Sequence, residues 1–148
     1  VTRPAIITIR GAGPEWQPRI ANAWNETAAR HMHFNDGFSL LALDGDTPAG
    51  LISVVYRPLP APLETTVEAF IDIIEVATPY RRQGIARQLV DHTARRARAA
   101  GAWQLRAWSS EDKTGALRLW RALGFGLCPA TTYPGGRAVD GYFVARPL

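Results

Sequence analysis

At 148 residues and 47% apolar composition, the chain is sized for one domain that buries about 68–70% of its unfolded surface. No apolar run approaches the ~20 residues a membrane span requires, and the first residues lack a charged-then-apolar leader pattern, so a soluble, cytoplasmic protein is expected. Cys128 is the only cysteine, which excludes an internal disulfide, and three histidines with one cysteine offer no metal-ligand spacing; the net charge of +4 is carried by arginine, with Lys113 the sole lysine.

In chain order, Ala5 to Arg10 alternates and reads as a first strand, ended by Gly11-Ala12-Gly13-Pro14. Pro14 suits the opening turn of a helix running to Arg30, with Trp16, Ile20, Ala23, Trp24 and Ala28 at helical spacing and both tryptophans assigned to the core. Phe38 to Leu43 and Gly50 to Tyr56 form a hairpin around Asp44-Gly45, a strong turn signal. Pro58, Pro60 and Pro62 then interrupt the chain up to Glu64, which gives an ordered but irregular loop. Val67 to Ala77 is a fourth strand, followed by a tight turn and an amphipathic helix from Ala86 that Gly101 closes. Its apolar side carries Leu89, Val90, Ala94 and Ala97, and its polar side Arg87, Asp91, Arg95 and Arg98.

Trp103 to Trp108 alternates as strand five. Ser109, Ser110 or Asp112 are candidate caps for the next helix, which turns Ala116, Leu119, Trp120 and Leu123 inward and stops at Gly124. Leu127 to Thr132 and Val139 to Arg146 are expected to close the chain as a hairpin across Pro134-Gly135-Gly136, with Cys128 an apolar filler near a strand. No internal repeat or low-complexity tract appears.

The chemistry concentrates at Tyr80-Arg81-Arg82-Gln83-Gly84-Ile85-Ala86. A strand, tight turn and helix leave the first helical amides unpaired, with the positive end of the helix dipole behind them. Gly84 lets backbone approach a bulky anion, Ala86 keeps the next amide unobstructed, and Arg81 and Arg82 add mobile positive charge. Six arginines between Arg81 and Arg98 raise the local positive potential, which a polyanionic cofactor explains at least as well as nucleic acid.

Arg81-x-x-Gly84-x-Ala86 after a strand ending at Val76 resembles the acetyl-CoA signature of the GNAT acetyltransferases. Ala116-Leu117-Arg118-Leu119-Trp120-Arg121-Ala122-Leu123-Gly124-Phe125 resembles the family's later helix, which usually closes in Leu-Gly-Phe. The resemblance covers roughly the C-terminal half. It implies an α/β (α+β) fold with a mixed, mostly antiparallel sheet, splayed between strands four and five and carrying helices on both faces. It also implies acetyl-CoA as co-substrate, with Val76, Ala77 and Thr78 on the pantetheine arm and Arg81, Arg82, Gln83, Gly84, Ile85 and Ala86 on the pyrophosphate. Pairing as a homodimer is common in the family, and no residue pattern here decides it.

In the resembling family an amine attacks the thioester directly, so a carboxylate or histidine must take its proton. Glu75, beside the expected thioester, is the first candidate base; Glu64, Glu68, Asp72, His31 and His33 are the others. The family's helix usually carries asparagine and tyrosine where this chain has Lys113 and Trp120. The tyrosine usually protonates the departing thiolate, and an indole N–H is too weak an acid for that. Lys113 is assigned to a CoA phosphate and Trp120 to packing on the cofactor arm, while Ser109, Ser110, Tyr133 or water remain for the acid.

The expected function is therefore N-acetyl transfer from acetyl-CoA to a primary amine of a small molecule or peptide. A non-catalytic CoA-binding sensor is the alternative, motivated by Trp120. A basic nucleic-acid module is the weakest reading, because the chain lacks an interleaved aromatic and basic motif.

Overall fold

A computed structural model describes residues 5–148. Seven strands form one sheet: β1 (Ile7–Gly11), β2 (Gly37–Asp44), β3 (Thr47–Pro58), β4 (Val67–Val76), β5 (Gln104–Ser110), β6 (Gly126–Thr132) and β7 (Val139–Pro147). Four helices accompany them: α1 (Trp16–Ala23), α2 (Glu26–Arg30), α3 (Ile85–Ala99) and α4 (Thr114–Ala122). The sheet order is β1-β2-β3-β4-β5-β7-β6, and β4–β5 is the one parallel pair among the described residues. The mixed, mostly antiparallel α/β architecture expected from the sequence is the one observed.

Alternation explains the two-faced sheet. Leu40, Ala42, Ile52, Val54, Ala69, Leu105 and Ala107 face α3 and α4, whose Leu89, Val90 and Trp120, with Leu123 just past α4, complete that core. Leu41, Leu43 and Leu51 face the other way and pack with Trp16, Ile20, Ala28 and Met32 of the α1–α2 side. Gly37 lets β2 start against β3, since a side chain there would have its Cβ 1.9 Å from the Val54 carbonyl oxygen.

The first helix differs from its expected form. Pro14 lies in a turn, and the Trp16-to-Arg30 stretch is two helices, because Asn25 adopts an extended conformation (φ −151°, ψ 103°) and its side chain accepts the Ala28 amide at 2.9 Å. A side chain that caps a new helix competes with continuation of the old one. The expected serine caps of α4 also fail. Ser109 and Ser110 extend β5, Asp112 is engaged by the Ser110 hydroxyl, and Lys113 precedes the helix without a side-chain cap. Cys128 is exposed on β6 rather than a filler.

Two irregularities in β4 shape the functional end. Val54 pairs with Ile71 and Ser53 with Ile73, so Asp72 is an extra residue bulged out of the ladder. The bulge reverses the alternation, which is why Ile71 and Ile74 both face α3 while Ile73 packs toward α1 and α2. The second irregularity is the short seam with β5: only Ala69, Phe70 and Ile71 pair, with Leu105, Arg106 and Ala107. Beyond Ile71 the two strands diverge and open a cleft. Among the described residues no helix is long and apolar enough to cross a membrane, and no group of side chains could hold a metal ion.

Candidate active site

A cavity of about 770 Å³ sits at the open end of the cleft, walled by the end of β4, the turn before α3, and α4. That volume lies within the range of small-molecule and cofactor sites. The chain reverses after β4 through a 3-10 turn at Thr78–Tyr80, and two left-handed residues follow, Arg82 at φ 63° and Gly84 at φ 77°. The first α3 hydrogen bond runs from the Gln88 amide to the Gly84 carbonyl at 3.1 Å, so the amides of Ile85, Ala86 and Arg87 have no acceptor within the helix.

Two contacts hold this turn in place. Arg81 Nε donates to the Val76 carbonyl at 3.1 Å, and the Tyr80 hydroxyl donates to Asp44 Oδ2 at 2.7 Å, tying the turn to the end of β2. That hydrogen bond, with partial desolvation and the Asp44 charge, pushes the Tyr80 hydroxyl above its usual pKa. Four cationic side chains, Arg81, Arg82, Arg87 and Lys113, line the cavity against one carboxylate, Glu75. The potential favours a polyanion.

Of the residues selected from the sequence, the cavity gathers Glu75, Val76, Arg81, Arg82, Gly84, Ile85, Ala86, Lys113 and Trp120. Ala77 is buried behind the turn, and Thr78 and Gln83 are exposed, all three outside the cavity lining. Trp120 is 4% exposed, its ring 4.8 Å from that of Phe125, so the indole is core as much as cavity wall. Lys113 meets Arg81 and Arg82 across the cavity from the start of α4, a proximity that no local spacing encodes.

The remaining candidate bases fall into separate environments. Glu64 is exposed in the proline loop. His31 Nδ1 lies 2.8 Å from the Thr27 carbonyl at the end of α2. Glu68 is 1% exposed and bound to Arg106 through both oxygens, at 2.8 and 2.6 Å, with Gln104 adding a third hydrogen bond at 2.8 Å. Burial works to raise the Glu68 carboxyl pKa, but the hydrogen bonds and the Arg106 and Arg57 charges outweigh it, so Glu68 titrates below its usual range. It is a structural ion across the β4–β5 seam. Of the candidate acids, Ser109 is 4% exposed on β5 and Tyr133 is 67% exposed in the β6–β7 turn.

His33 and Asp72 come together. His33 Nε2 is 2.8 Å from Asp72 Oδ2 and Nδ1 is 3.0 Å from Asp36 Oδ2, so the ring bridges two carboxylates at the β4 bulge. Its backbone is fixed as well: the His33 amide donates to Ser53 Oγ at 2.7 Å and Ser39 Oγ donates to the His33 carbonyl at 2.9 Å. Burial works against the charged ring, yet the hydrogen bonds and charges of Asp72 and Asp36 prevail and raise the imidazole above its ordinary value. Sequence reasoning selected His33 and Asp72 singly but not as a pair, because 39 residues separate them.

A cationic turn-and-helix anion site, opening into a cleft between diverging parallel strands, defines an α/β fold whose site suits a phosphate-bearing ligand. The chain belongs to the acetyltransferase (GNAT) family, whose model matches residues 8–125. No curated protein matches the chain. Among solved structures it is similar to Arabidopsis thaliana NAA60 in complex with acetyl-CoA (14% identity, 97% of this chain and 99% of that one, TM-score 0.78). It is also similar to a GNAT-family acetyltransferase from Streptococcus pneumoniae (14%, 97% and 100%, 0.74). A third similarity is to the ribosomal-protein-alanine N-acetyltransferase from Brucella melitensis (19%, 95% and 99%, 0.72). At these identities the likeness is one of fold, and it extends over the N-terminal half that the sequence motifs do not reach.

Proposed function

We propose that this chain is an N-acetyltransferase that moves an acetyl group from acetyl-CoA directly to a primary amine. One observation carries the reading: the anion-binding turn, the end of β4 and the inner face of α4 wall a single cavity at the mouth of the β4–β5 cleft. The residues present suit a CoA phosphate chain, with open helix amides behind Gly84 and four cationic side chains around them. Bound there, acetyl-CoA supplies the activated acyl group.

The protein's own work is positioning and proton removal. Arg81, Arg82 and Lys113 hold the phosphates, and the amides of Ile85 and Ala86 complete that cradle. Val76, at the last paired position of β4, offers backbone to the pantetheine arm. Glu75 lines the cavity one residue before Val76 and is the proposed base. It shares its side of β4 with Ile73, so it faces the same side as the His33–Asp72 pair.

A thiol-release assay with acetyl-CoA against amines, amino acids and peptides, beside calorimetry of CoA binding, tests the reading. Saturable CoA binding and thiol release with one amine class are expected. Glu75→Gln should then lower kcat by about 10²–10⁴-fold while leaving the KM for acetyl-CoA nearly unchanged. CoA binding without release from any acceptor would instead favour a sensor.

A further inference from the structure

The face of the sheet that carries Asp72 is only half covered. The α1–α2 side packs over β2, β3 and the bulged part of β4, and among the described residues no helix packs closely against β5 and β7 on that face. What lies there is aromatic and charged. Phe70, only 9% exposed, follows the buried Glu68 on this face of β4, and across the seam β5 contributes the half-buried Arg106 and Trp108. Phe143 of β7 stands edge-on to Trp108 with ring centres 5.1 Å apart.

Two guanidinium groups lie against Phe70, Arg57 with its centre 4.1 Å from the ring and Arg106 at 5.1 Å. They are not equivalent. Arg106 is also stacked on Phe143 and is neutralised by the buried Glu68 carboxylate. Arg57 is exposed and forms no ion pair among the described residues. Stacking flat on an aromatic ring fixes a guanidinium while leaving its N–H edge free to take a carboxylate or phosphonate.

The opposite charge stands one step along the same strand. Asp72 follows Phe70 by two residues, about 7 Å in extended chain. Its Oδ2 is held by His33, its Oδ1 has no partner among the described residues, and its side chain is 28% exposed. Asp72 is also the first residue of β4 past the seam, so it sits where the cleft begins, between the Arg57–Phe70 stack and the Glu75 end of the cavity. The order along the face is cation, carboxylate, reaction centre.

We propose that the acceptor is a small amino acid or close analogue, bound at two points: its ammonium on Asp72 and its anionic group on Arg57. Its side chain lies against the half-buried rings of Trp108 and Phe143. His33 is a positioning residue that aims the Asp72 carboxylate into the cleft. The chemistry balances. The amine nitrogen forms the new N–C bond as the C–S bond of the thioester breaks; of the two protons the ammonium loses, one ends on the CoA thiolate and the other reaches solvent. This proposal rests on the acetyl-transfer reading and names its substrate class.

The test compares free amino acids with their own methyl esters, amides and N-terminal peptides in the thiol-release assay. Esterification lowers the pKa of the amine and enlarges its reactive free-base fraction, so intrinsic reactivity favours the ester. The expected result is the reverse: kcat/KM at least about tenfold higher for the free acid, with the difference in KM. Arg57→Ala should abolish that preference by raising the KM for the acid, and Arg57→Lys should restore part of it. Acids and esters used equally, or peptides preferred, would overturn the two-point acceptor site while leaving acetyl transfer standing. CoA binding with no thiol release from any amine would remove both readings.

Discussion

Gly84 holds the cradle at φ 77°, a left-handed conformation that costs an L-residue roughly 1–2 kcal/mol. No atom lies within 4 Å of where its Cβ would stand, so a side chain there acts through backbone strain and by blocking the cradle. Gly84→Val is expected to abolish CoA binding in calorimetry while the melting temperature falls only by the strain. Trp120 tests the opposite case. The indole carries no proton a thiolate can use, so Trp120→Phe should keep kcat within about twofold once the protein is saturated with acetyl-CoA. A larger kcat loss with unchanged folding would give the indole a chemical role. His33 gives a pH signature. Its pKa is raised above 6.5 in the folded protein, so its stabilising contribution is complete below 6.5 and disappears as pH rises through the folded value. The melting-temperature difference between the native chain and His33→Gln should therefore shrink on going from pH 6 to pH 9.

At the scale of elements, α2 matters for what it delivers. Five residues are too few to hold a helix by themselves, and the Asn25 cap, the buried Ala28 and Ala29 and the packing on β4 keep it formed. Its end leads directly into the segment that presents His33. Asn25→Ala should cost about 1 kcal/mol in denaturant unfolding. By loosening that segment it should also raise the KM for the acceptor more than the KM for acetyl-CoA. Equal changes in both constants would mean that α2 supports the whole cleft rather than its acceptor side. The α3 and α4 helices have the complementary task. One aims its open amides into the cavity, the other closes the cavity with Lys113 and Trp120, and both lie on the face opposite α1 and α2.

Across the whole molecule, the β4–β5 seam joins the first four strands of the sheet to the last three through three residue pairs. Glu68, Arg106 and Gln104 bind across it, and breaking such a pair strands a charge. Arg106 keeps 27% of its side chain exposed, so Glu68→Ala is expected to cost about 2–3 kcal/mol, below the figure for a fully buried pair. Because the Glu68 pKa is lowered on folding, its contribution is present above about 4.5 and is lost as pH falls through the folded value. The native chain should thus lose stability in acid more steeply than Glu68→Gln, measured by urea unfolding between pH 6 and pH 3. The short seam also has a functional side. Pairing that continued past Ile71 would close the cleft.

The parts of the fold whose signals are local are legible in the chain. Strand, turn and helix around Arg81, Gly84 and Ala86, the Asp44-Gly45 hairpin and the helix ending at Gly124 each follow from spacing within a few residues, and all lie where expected. The turn's share of the cavity lining was legible to the same extent, since turn chemistry and helix amides are local properties, whereas the approach of Lys113 from α4 was not. The remainder depends on which strands and helices the fold brings together. The Asp72 bulge shows only in the register of β3 against β4. His33 meets Asp72 across 39 residues and Glu68 meets Arg106 across 38. Arg57 finds the Phe70 ring only when β3 and β4 are paired. Charges meeting across strands leave no period in the chain, so the anion-binding turn could be read from the sequence, whereas the His33–Asp72 pair and the Arg57–Phe70 stack required the fold.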